Sequence, residues 1–459
     1  MVCAELAPLA KTGGLGDAVA GLSGALGRSG HDVRVLLPKY RELGRGTPVV
    51  DTIVHRPSGN RYVETRLDSG PVRVYLLDAP ELYGGNAIYL GDDRDALRFV
   101  GLAAAAVALP EALNWSPDVV HCHDWHAALV PALLDASGVR LPTVLTLHNI
   151  GYQGVFPADI ASGEHAALAT HADESGATPV LNFLRTGVRT ASLLTTVSPT
   201  YAREIQTSAF GMGLEDVLRA RSGDLVGILN GVDYSIWDPR VDPHLEVHYD
   251  ADDPGPKRHV KRALCAELGL AHEERRPVIG VVTRLAPQKG IDLLSAIMPS
   301  LLETSDAIFA ILASGDPELE RQLDGFAGAD STRVSFTAGY DEALAHRLLA
   351  GSDIVLVPSR YEPCGLTQMY ALRFGSIPVV RATGGLADTV QHFDPTSGAG
   401  NGAVFEHADP QGLAWGIGRA LDWFADPSLW QTLINNAMGA DFSWHRQVGK
   451  YVALYKRLL

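Results

Sequence analysis

The residues from Ile354 to Leu366 form a pattern that could bind a phosphate group. The apolar run Ile-Val-Leu-Val predicts a buried strand, which leads into a loop with one carboxylate, Glu362, followed by Cys364 and Gly365. We predict that Gly365 opens a helix, because the first backbone N–H groups of a helix have no partner within it and attract an anion. Glycine leaves room for that anion to approach. For this loop taken alone, an ordinary strand-to-helix turn is the alternative.

A second glycine-rich loop lies near the start of the sequence. Lys11 precedes Gly13 and Gly14, after a short apolar segment. Such glycines loosely resemble a dinucleotide-binding fingerprint, but that fingerprint requires an acidic residue about 20 positions later to bind ribose. Here the next predicted strand ends in Pro38-Lys39. We therefore interpret the glycines as space for a bulky substrate and Lys11 as a charge directed at it.

Two cations stand five residues apart around a proline turn, after a predicted strand. Arg284 and Lys289 could neutralise a diphosphate leaving group without a metal ion, because their charge is fixed where bulk water is excluded. A solvated turn is the alternative. Thr383 and Gly384 begin a third glycine-rich turn after another strand. Together these loops predict that the second half of the chain binds a phosphorylated nucleotide.

Polar side chains also follow predicted strands of the first half. Asp124 suits a sugar hydroxyl as a hydrogen-bond acceptor, and the ends of successive parallel strands meet at one edge of a sheet. The segment His121-Cys-His-Asp-Trp-His126 raises the alternative of a zinc site. No further Cys/His pair has ligand spacing, and Cys122 would face the other side of the strand, so we predict no metal site. The polar residues at these strand ends are Asp124, His148, Asn149 and Asn230.

Apolar strands alternate with helical patterns along the whole chain, which predicts an α/β protein with doubly wound parallel sheets. The segment 230–256, rich in Asp, Pro and His, separates two such series and is the predicted linker. We therefore expect two α/β domains facing each other across a cleft. The predicted strands are Val33–Leu37, Val72–Leu77, Val119–His121, Thr143–Leu147, Leu193–Val197 and Leu225–Leu229, then Val278–Val282, Ala307–Leu312, Arg333–Phe336, Ile354–Val357 and Ile377–Val380.

Composition narrows the function classes. The length of 459 residues predicts at least two domains, and 46% hydrophobic with 20% charged residues is ordinary for a globular protein. A net charge of −15 argues against binding to nucleic acid or anionic membranes. The four cysteines show no disulfide spacing, and we find no signal peptide or membrane-spanning run, so we expect a cytoplasmic protein.

The motifs match a known family in its own order. The chain resembles the bacterial glycogen synthases and plant starch synthases over nearly its whole length, through Asp441-Phe-Ser-Trp444. The matching segments are Lys11-Thr-Gly-Gly-Leu, His123-Asp-Trp-His, Leu147-His-Asn-Ile, Val197-Ser-Pro-Thr-Tyr-Ala-Arg-Glu, Asn230-Gly-Val-Asp, Arg284-Leu-x-x-Gln-Lys-Gly, Glu362-Pro-Cys-Gly-Leu-Thr-Gln and Thr383-Gly-Gly-Leu-Ala-Asp388.

The resemblance implies a GT-B fold and a retaining transfer of glucose from ADP-glucose to the 4-hydroxyl at the non-reducing end of an α-1,4-glucan, with release of ADP. We expect no metal cofactor, because Arg284, Lys289 and the helix start at Gly365 already supply positive charge. Starch, glycogen and maltooligosaccharides are the implied acceptors. It implies that Arg284 and Lys289 bind the donor diphosphate, that Glu362 lies near the glucosyl 3-hydroxyl, and that the His148 carbonyl faces the anomeric carbon. The other implied contacts are Gly365, Leu366 and Thr367 for the distal phosphate, Cys364, Thr383 and Gly384 in the same pocket, Lys11, Gly13 and Gly14 closing on the phosphates, and Asp124, Asn149 and Asn230 around the sugar.

The resemblance also implies three segments: a first domain over residues 1–238, a nucleotide-sugar domain over 239–441, and a last helix over 442–459 that crosses back to the first domain. Family members usually carry several more apolar residues before Val2, so we expect the first strand to be shortened. Two alternatives remain open: another GT-B nucleotide-sugar transferase, such as a sucrose-phosphate synthase, and a non-catalytic glucan-binding paralogue. A nicotinamide enzyme is disfavoured by Pro38-Lys39.

Overall fold

Strands and helices alternate in two separate sets along the chain. The computed structural model describes residues 1–41, 52–55, 61–66, 70–85, 87–174, 176 and 178–459. These residues divide into unit 1, residues 1–231 with 444–459, and unit 2, residues 232–443. The domains predicted from the sequence, with bounds at residues 238 and 441, stay a prediction.

The strands are short and mostly buried. Those of unit 1 are β1 (Arg34–Pro38), β2 (Thr52–His55), β3 (Arg61–Arg66), β4 (Arg73–Leu77), β5 (Val120–His123), β6 (Thr143–Leu147), β7 (Val155–Pro157), β8 (Val180–Asn182), β9 (Leu193–Thr196) and β10 (Leu225–Gly227). Those of unit 2 are β11 (Val278–Leu285), β12 (Ile308–Gly315), β13 (Val334–Ala338), β14 (Ile354–Val357), β15 (Ile377–Arg381) and β16 (Ala403–Phe405).

The helices follow the strands in chain order. They are α1 (Gly14–Arg28), α2 (Pro80–Tyr83), α3 (Arg94–Ala112), α4 (Asp124–Ala127), α5 (Val130–Ala136), α6 (Phe183–Thr190), α7 (Pro199–Glu204), α8 (Glu215–Ala220), α9 (Lys257–Glu267), α10 (Ile291–Thr304), α11 (Pro317–Ala329), α12 (Glu342–Gly351), α13 (Thr367–Arg373), α14 (Gly384–Thr389), α15 (Pro410–Phe424), α16 (Pro427–Gly439) and α17 (Trp444–Lys456). Three 3₁₀ helices cover Ala158–Ile160, Gly163–His171 and Pro287–Lys289.

Unit 1 contains parallel strands in the order β10-β9-β6-β5 and a second group in the order β1-β4-β3-β2. The first residues of the chain join the two groups, because Val2 bridges both Cys122 of β5 and Leu36 of β1 in parallel. This segment lies where the sequence predicts the first strand. The antiparallel pairing of β3 with β2 and with β4 was not predicted.

Unit 2 is built on one sheet whose six strands are all parallel, in the order β13-β12-β11-β14-β15-β16. Parallel sheets with helices between the strands confirm the predicted α/β class. Strand β11 extends three residues beyond its predicted end, because it pairs with β12 along its full length, with Arg284 opposite Ser314. Arg284 therefore lies on the strand and not in the following turn.

The last helix, α17, belongs to unit 1. Trp444, Val448 and Tyr451 are buried in the unit 1 core, and α1 packs against this helix. A Cβ atom added at Gly21 of α1 would lie 1.8 Å from Nε1 of Trp444, so only glycine fits there.

Candidate active site

The loop after β14 places Glu362 at the carboxyl end of a central strand of unit 2. All four residues of β14 are buried between β11 and β15, which fixes the start of the loop. The Glu362 side chain is 8% exposed and accepts hydrogen bonds from Lys289 Nζ at 2.6 Å and from Ser359 Oγ at 2.8 Å. The cation and the hydroxyl hold the carboxylate in one orientation.

Lys289 reaches this carboxylate because the turn after β11 packs closely on the Glu362 loop. Gly290 has a positive φ of 67°, and a Cβ atom there would lie 2.3 Å from the Pro358 carbonyl oxygen. Gln288 Nε2 donates to the Tyr361 carbonyl oxygen at 3.1 Å, which joins the two loops again. Two strand-end loops, 73 residues apart in sequence, thus form one polar cluster.

The two predicted cations are in different states. Lys289 is paired with Glu362, whereas Arg284 is exposed at the end of β11. Within the part of the chain that the structure describes, the Arg284 guanidinium makes no hydrogen bond or ion pair. Arg284 is therefore the available cation at this end of the sheet, and Lys289 is the one already held in place.

The glycines of the loop fulfil a conformational need that the sequence did not reveal. Gly365 has φ of 71°, and a Cβ atom there would lie 2.3 Å from Gln368 Oε1. Helix α13 begins at Thr367, after Leu366, so the prediction that Gly365 opens it was two residues early. Gln368 is fully buried and donates to the carbonyl oxygens of Cys364 at 3.0 Å and Gly365 at 2.8 Å.

The Thr383-Gly384-Gly385 turn closes against the Glu362 loop. The Gly385 amide donates to the Glu362 carbonyl oxygen at 3.0 Å, and a Cβ atom at Gly385 would lie 2.1 Å from the Cys364 carbonyl oxygen. Thr383 is fully buried before α14. The structure therefore brings Cys364, Gly365 and the third glycine-rich turn together within unit 2.

In unit 1, Asp124 connects the ends of β5 and β6. Its Oδ1 accepts from the backbone amides of His148 at 2.6 Å and Asn149 at 3.3 Å, and Asp124 itself has φ of 57°. Burial raises the pKa of Asp124 to about 7, against the lowering effect of the two amides. Asp124 thus positions the backbone of His148 and Asn149, a role that the sequence alone did not indicate.

Asn230 stands near the end of the unit 1 part of the chain. It is 5% exposed, and its Oδ1 is buried with no hydrogen-bond partner among the described residues. Buried amide oxygens are almost always paired, so an unpaired one is a candidate ligand contact. This agrees with its expected place near a sugar, which stays a prediction.

The Lys11 loop is held by a carboxylate that sequence reasoning missed. Glu5 is 3% exposed and accepts from Thr12 N at 2.7 Å, Gly13 N at 3.2 Å and Tyr89 Oη at 2.5 Å. Lys11 itself pairs with Asp17 at 2.9 Å, in the first turn of α1, which begins at Gly14. An acidic residue inside an otherwise apolar first segment was the signal that could have revealed Glu5.

Metal binding and membrane insertion have no structural support in the described residues. There, no group of three or more His, Cys, Asp or Glu side chains could hold a metal ion. Among the helices described, none is long and apolar enough to cross a bilayer.

Two family models match the chain. The one described as starch synthase catalytic domain matches residues 1–220, and the one described as glycosyl transferases group 1 matches residues 269–437. The glycogen synthase of Anaeromyxobacter dehalogenans is 43% identical over 472 residues, covering 100% of this chain and 98% of that protein. Glycogen synthase 1 of Methylococcus capsulatus is 41% identical over 476 residues, covering 100% and 96%.

Solved structures show the same likeness. The catalytic domain of starch synthase IV from Arabidopsis thaliana, bound to ADP and acarbose, has a TM-score of 0.90 at 35% identity and covers 100% of this chain and 98% of that one. A sucrose-phosphate synthase from Thermosynechococcus elongatus has a TM-score of 0.62 at 20% identity, covering 97% and 94%, which shows the fold alone.

The two parallel-sheet units with their strand-end loops define a glycosyltransferase of the GT-B fold, as predicted. Identity above 40% over the whole length goes further than the fold. The chain belongs to the glycogen and starch synthase family, which confirms the resemblance stated from its motifs.

Proposed function

We propose that this chain transfers glucose from ADP-glucose to the 4-hydroxyl at the non-reducing end of an α-1,4-glucan and retains the α configuration. Membership in the glycogen and starch synthase family supports the reaction class. The observation that supports catalysis most directly is the Lys289–Glu362 pair together with the exposed Arg284 at the carboxyl end of the neighbouring strand β11, because a non-catalytic paralogue would have no need to keep these charges. Likeness to the sucrose-phosphate synthase is limited to the fold.

Loss of ADP is the step for which unit 2 is suited. Negative charge grows on the diphosphate as the glycosidic bond breaks, and cations fixed in advance stabilise that charge without reorganising. Arg284 has no competing partner among the residues described, so it can bind the diphosphate directly. Lys289 can contribute its remaining two N–H donors while its bond to Glu362 holds it in position.

Glu362 is proposed to accept a hydrogen bond from a glucosyl hydroxyl. Its two oxygens have more acceptor positions than the two bonds from Lys289 and Ser359 occupy. In this role the carboxylate orients the ring and stabilises positive charge near the anomeric carbon, and it forms no covalent bond with the sugar. Cys364, Gly365, Leu366, Thr367, Thr383 and Gly384 are proposed to line the same donor site.

The unit 1 residues are proposed to surround the sugar. Retaining transfer passes through an oxocarbenium-like state, which a carbonyl dipole stabilises. In the described chain, no hydrogen bond is made to the His148 carbonyl oxygen, so this dipole is available. Lys11, Gly13, Gly14, Asp124, Asn149 and Asn230 complete the proposed set, with Lys11 leaving Asp17 to bind phosphate.

An aromatic ring missed by sequence reasoning adds support for a nucleotide. Tyr340 is 69% exposed and lies two residues beyond the carboxyl end of β13 in unit 2. A flat ring in such a position offers a stacking surface to a base. Ligands of parallel α/β sheets bind at these strand ends, so Tyr340 is proposed to contact adenine.

We propose that the reaction needs no metal ion, because Arg284 and Lys289 supply the charge that a metal would provide. The proposed partners are the sugar nucleotide and the glucan alone, without nucleic acid or membrane, and the proposed location is the cytoplasm.

The test measures incorporation of labelled glucose into glycogen from ADP-glucose and, separately, from UDP-glucose. We expect ADP-glucose to support incorporation with a kcat/KM at least about tenfold above that of UDP-glucose, and α-1,4 bonds in the product. No incorporation from either donor would contradict the function. Excess EDTA should leave the rate unchanged, whereas a loss of about tenfold that added metal restores would contradict metal independence.

A further inference from the structure

Three histidines of unit 1 form a connected cluster, and the reaction proposed above gives their side chains no role. His121 and His123 are two residues apart on β5, so they lie on the same face of the strand, and their rings stack with centroids 4.3 Å apart. Nδ1 of His123 lies 3.0 Å from Nε2 of His148. These two contacts fit a ring stack and a direct hydrogen bond.

The last helix anchors one end of the cluster. The hydroxyl of Tyr455 on α17 lies 2.7 Å from Nδ1 of His121, while Nε2 of His121 lies 2.6 Å from Thr146 Oγ1. Tyr455 is half-buried, and of the two groups the imidazole nitrogen is the stronger acceptor, so the phenol is the donor of this bond. His121 therefore accepts at Nδ1 and donates from Nε2 to Thr146, whose oxygen lies 2.5 Å from that of Thr195.

The other end of the cluster determines the proton position on His148. His123 is 1% exposed, and its buried Nε2 has no hydrogen-bond partner in the part of the chain that the structure describes. A buried N–H with no acceptor is the rarer kind of unpaired group, so the His123 proton belongs on Nδ1, where it is donated to His148 Nε2. His148 then carries its own proton on Nδ1, which makes no hydrogen bond within the described chain.

We propose that His123 is a positioning residue that holds His148 as the Nδ1–H tautomer, and that Tyr455 fixes the His123 ring through His121. His148 is partly exposed, so its Nδ1–H is available to a substrate oxygen. The same residue supplies the free carbonyl dipole, and its amide is bonded to Asp124. The Asn149 amide, which shares a peptide plane with this carbonyl, is bonded to Asp124 too, so Asp124 fixes the carbonyl while His123 fixes the ring.

The identity of the substrate oxygen, a glucosyl hydroxyl, rests on the proposed function, whereas the tautomer does not. The first test is therefore made without substrate. Long-range ¹H–¹⁵N spectra of the ¹⁵N-histidine-labelled protein distinguish protonated from bare ring nitrogens, and a His148→Asn variant assigns the His148 signals. We expect a protonated Nδ1 and a bare Nε2 in His148. The opposite tautomer, or a fast mixture of both, would overturn the proposal even if the enzyme is fully active.

The second test compares kinetics of three variants. His123→Phe keeps the ring stack and removes the donor, so we expect kcat to fall about tenfold or more with a KM for ADP-glucose within about twofold of wild type. His123→Asn places an amide N–H near the former Nδ1 and should recover most of that loss. Tyr455→Phe should show a smaller fall in kcat and a His148 spectrum with both tautomers.

The control is Tyr62→Phe, which removes a fully buried phenol bond of unit 1, to the Ala105 carbonyl oxygen at 2.9 Å. It should lower the melting temperature at least as much as Tyr455→Phe, whose phenol is only half-buried, and leave kcat unchanged. If Tyr62→Phe slows turnover equally, or if His123→Asn is as slow as His123→Phe, the effect is one of general packing and the positioning role is wrong. Where His123→Phe fails to fold, Tyr455→Phe with wild-type kcat and spectrum gives the same negative answer.

Discussion

Lys289 and Arg284 carry the same charge but differ in what they contact without substrate. Removing Arg284 leaves no buried group unpaired, whereas removing Lys289 leaves the Glu362 carboxylate buried with Ser359 alone. We predict that Arg284→Ala and Lys289→Ala each lower kcat about a hundredfold, because each loses charge stabilisation of the leaving ADP. Only Lys289→Ala should also lower the free energy of unfolding, by about 2 kcal/mol.

A buried ion pair at the amino end of strand β14, in the same sheet, provides the control. Lys261 bonds Asp353 at 2.8 Å, just before the start of β14, and both side chains are nearly buried. Lys261→Ala should destabilise the protein with kcat retained. Steady-state kinetics and urea unfolding separate the three variants, and an Arg284→Ala enzyme with normal turnover would make that residue an ordinary surface cation.

Glu362→Gln tests what the carboxylate does. The amide keeps the shape and one acceptor oxygen, but it weakens the contact with Lys289 and removes the negative charge. We predict a fall in kcat of roughly 10² to 10⁴ with no trapped intermediate, as expected for an orienting and electrostatic role. Mass spectrometry of wild-type enzyme quenched during turnover without acceptor checks this. A glucosyl adduct on Glu362 would instead establish double displacement.

Asp124 gives a prediction about stability and pH. Its pKa rises from 3.8 in the unfolded chain to about 7 in the folded protein because of burial, so the native state binds the extra proton between these values. Stability from this group is therefore present below about pH 4 and is lost as pH rises through about 7. The side chain of Asp124→Asn stays neutral at every pH. Between about pH 5 and pH 8, the free energy of unfolding of this variant should therefore fall by about 2 kcal/mol less than that of wild type.

The measurement is urea unfolding at both pH values, expressed as the difference between variant and wild type. The difference is needed because burial lowers the pKa of His148 to about 3, and that shift makes stability fall in the acidic direction. Parallel pH curves for the two proteins would show that Asp124 is ionised throughout.

At the scale of elements, the segment 232–256, predicted to be a linker, packs against helices α12 and α13. It contains no helix or strand, yet Trp237 stacks between His346 of α12, with centroids 3.6 Å apart, and Tyr370 of α13, at 3.9 Å. Oδ2 of Asp242 lies 2.6 Å from His346 Nδ1, within hydrogen-bond distance, and both side chains are buried. The segment thereby supports α13, the helix that follows the Glu362 loop.

We predict that Trp237→Ala lowers the unfolding free energy by about 4 kcal/mol. The substitution leaves a cavity between the His346 and Tyr370 rings, and these rings can fill it only partly. Support for α13 should weaken too, and the KM for ADP-glucose should rise. Trp415→Ala is the control, since Trp415 of α15 is 49% exposed and its loss should change stability by less than about 0.5 kcal/mol. Equal effects in the two tryptophan variants would show that the stack supports nothing.

At the scale of the whole chain, the last helix, α17, packs into the unit 1 core against the first helix, α1. Helix α17 places Trp444 against Gly21 of α1, with no room for a methyl group. Gly21→Ala should therefore destabilise unit 1 by about 2 kcal/mol, although alanine favours a helix by about 1 kcal/mol over glycine.

Gly449→Ala on α17 itself is the matched control. A Cβ atom there meets nothing within 4 Å, so this change should stabilise by about 1 kcal/mol. Calorimetry of the two variants compares the signs. Stabilisation by Gly21→Ala would contradict the close packing of α17 on α1.

Local patterns in the sequence determined the parallel strands, the family and the loops that carry Glu362, Lys289 and Asp124. Strand periodicity and glycine turns are short-range signals, so strand β14 was predicted with its observed bounds. The same signals could not predict the β2–β3 hairpin or the true start of α13, where a left-handed Gly365 and the buried Gln368 delay the helix.

Only the tertiary structure decided which charged and polar groups meet. Glu362 and Lys289 are 73 residues apart, Tyr89 and Glu5 are 84 apart, and His121 and Tyr455 are 334 apart. Nothing in the local propensity of either partner encodes such a contact, because it forms when strand order and helix packing bring distant segments to one edge of a sheet. The sequence therefore revealed which residues could do the chemistry, and the fold decided that Lys289 is held while Arg284 is free, that Asp124 is bonded to backbone amides, and that His148 has a partner for its ring.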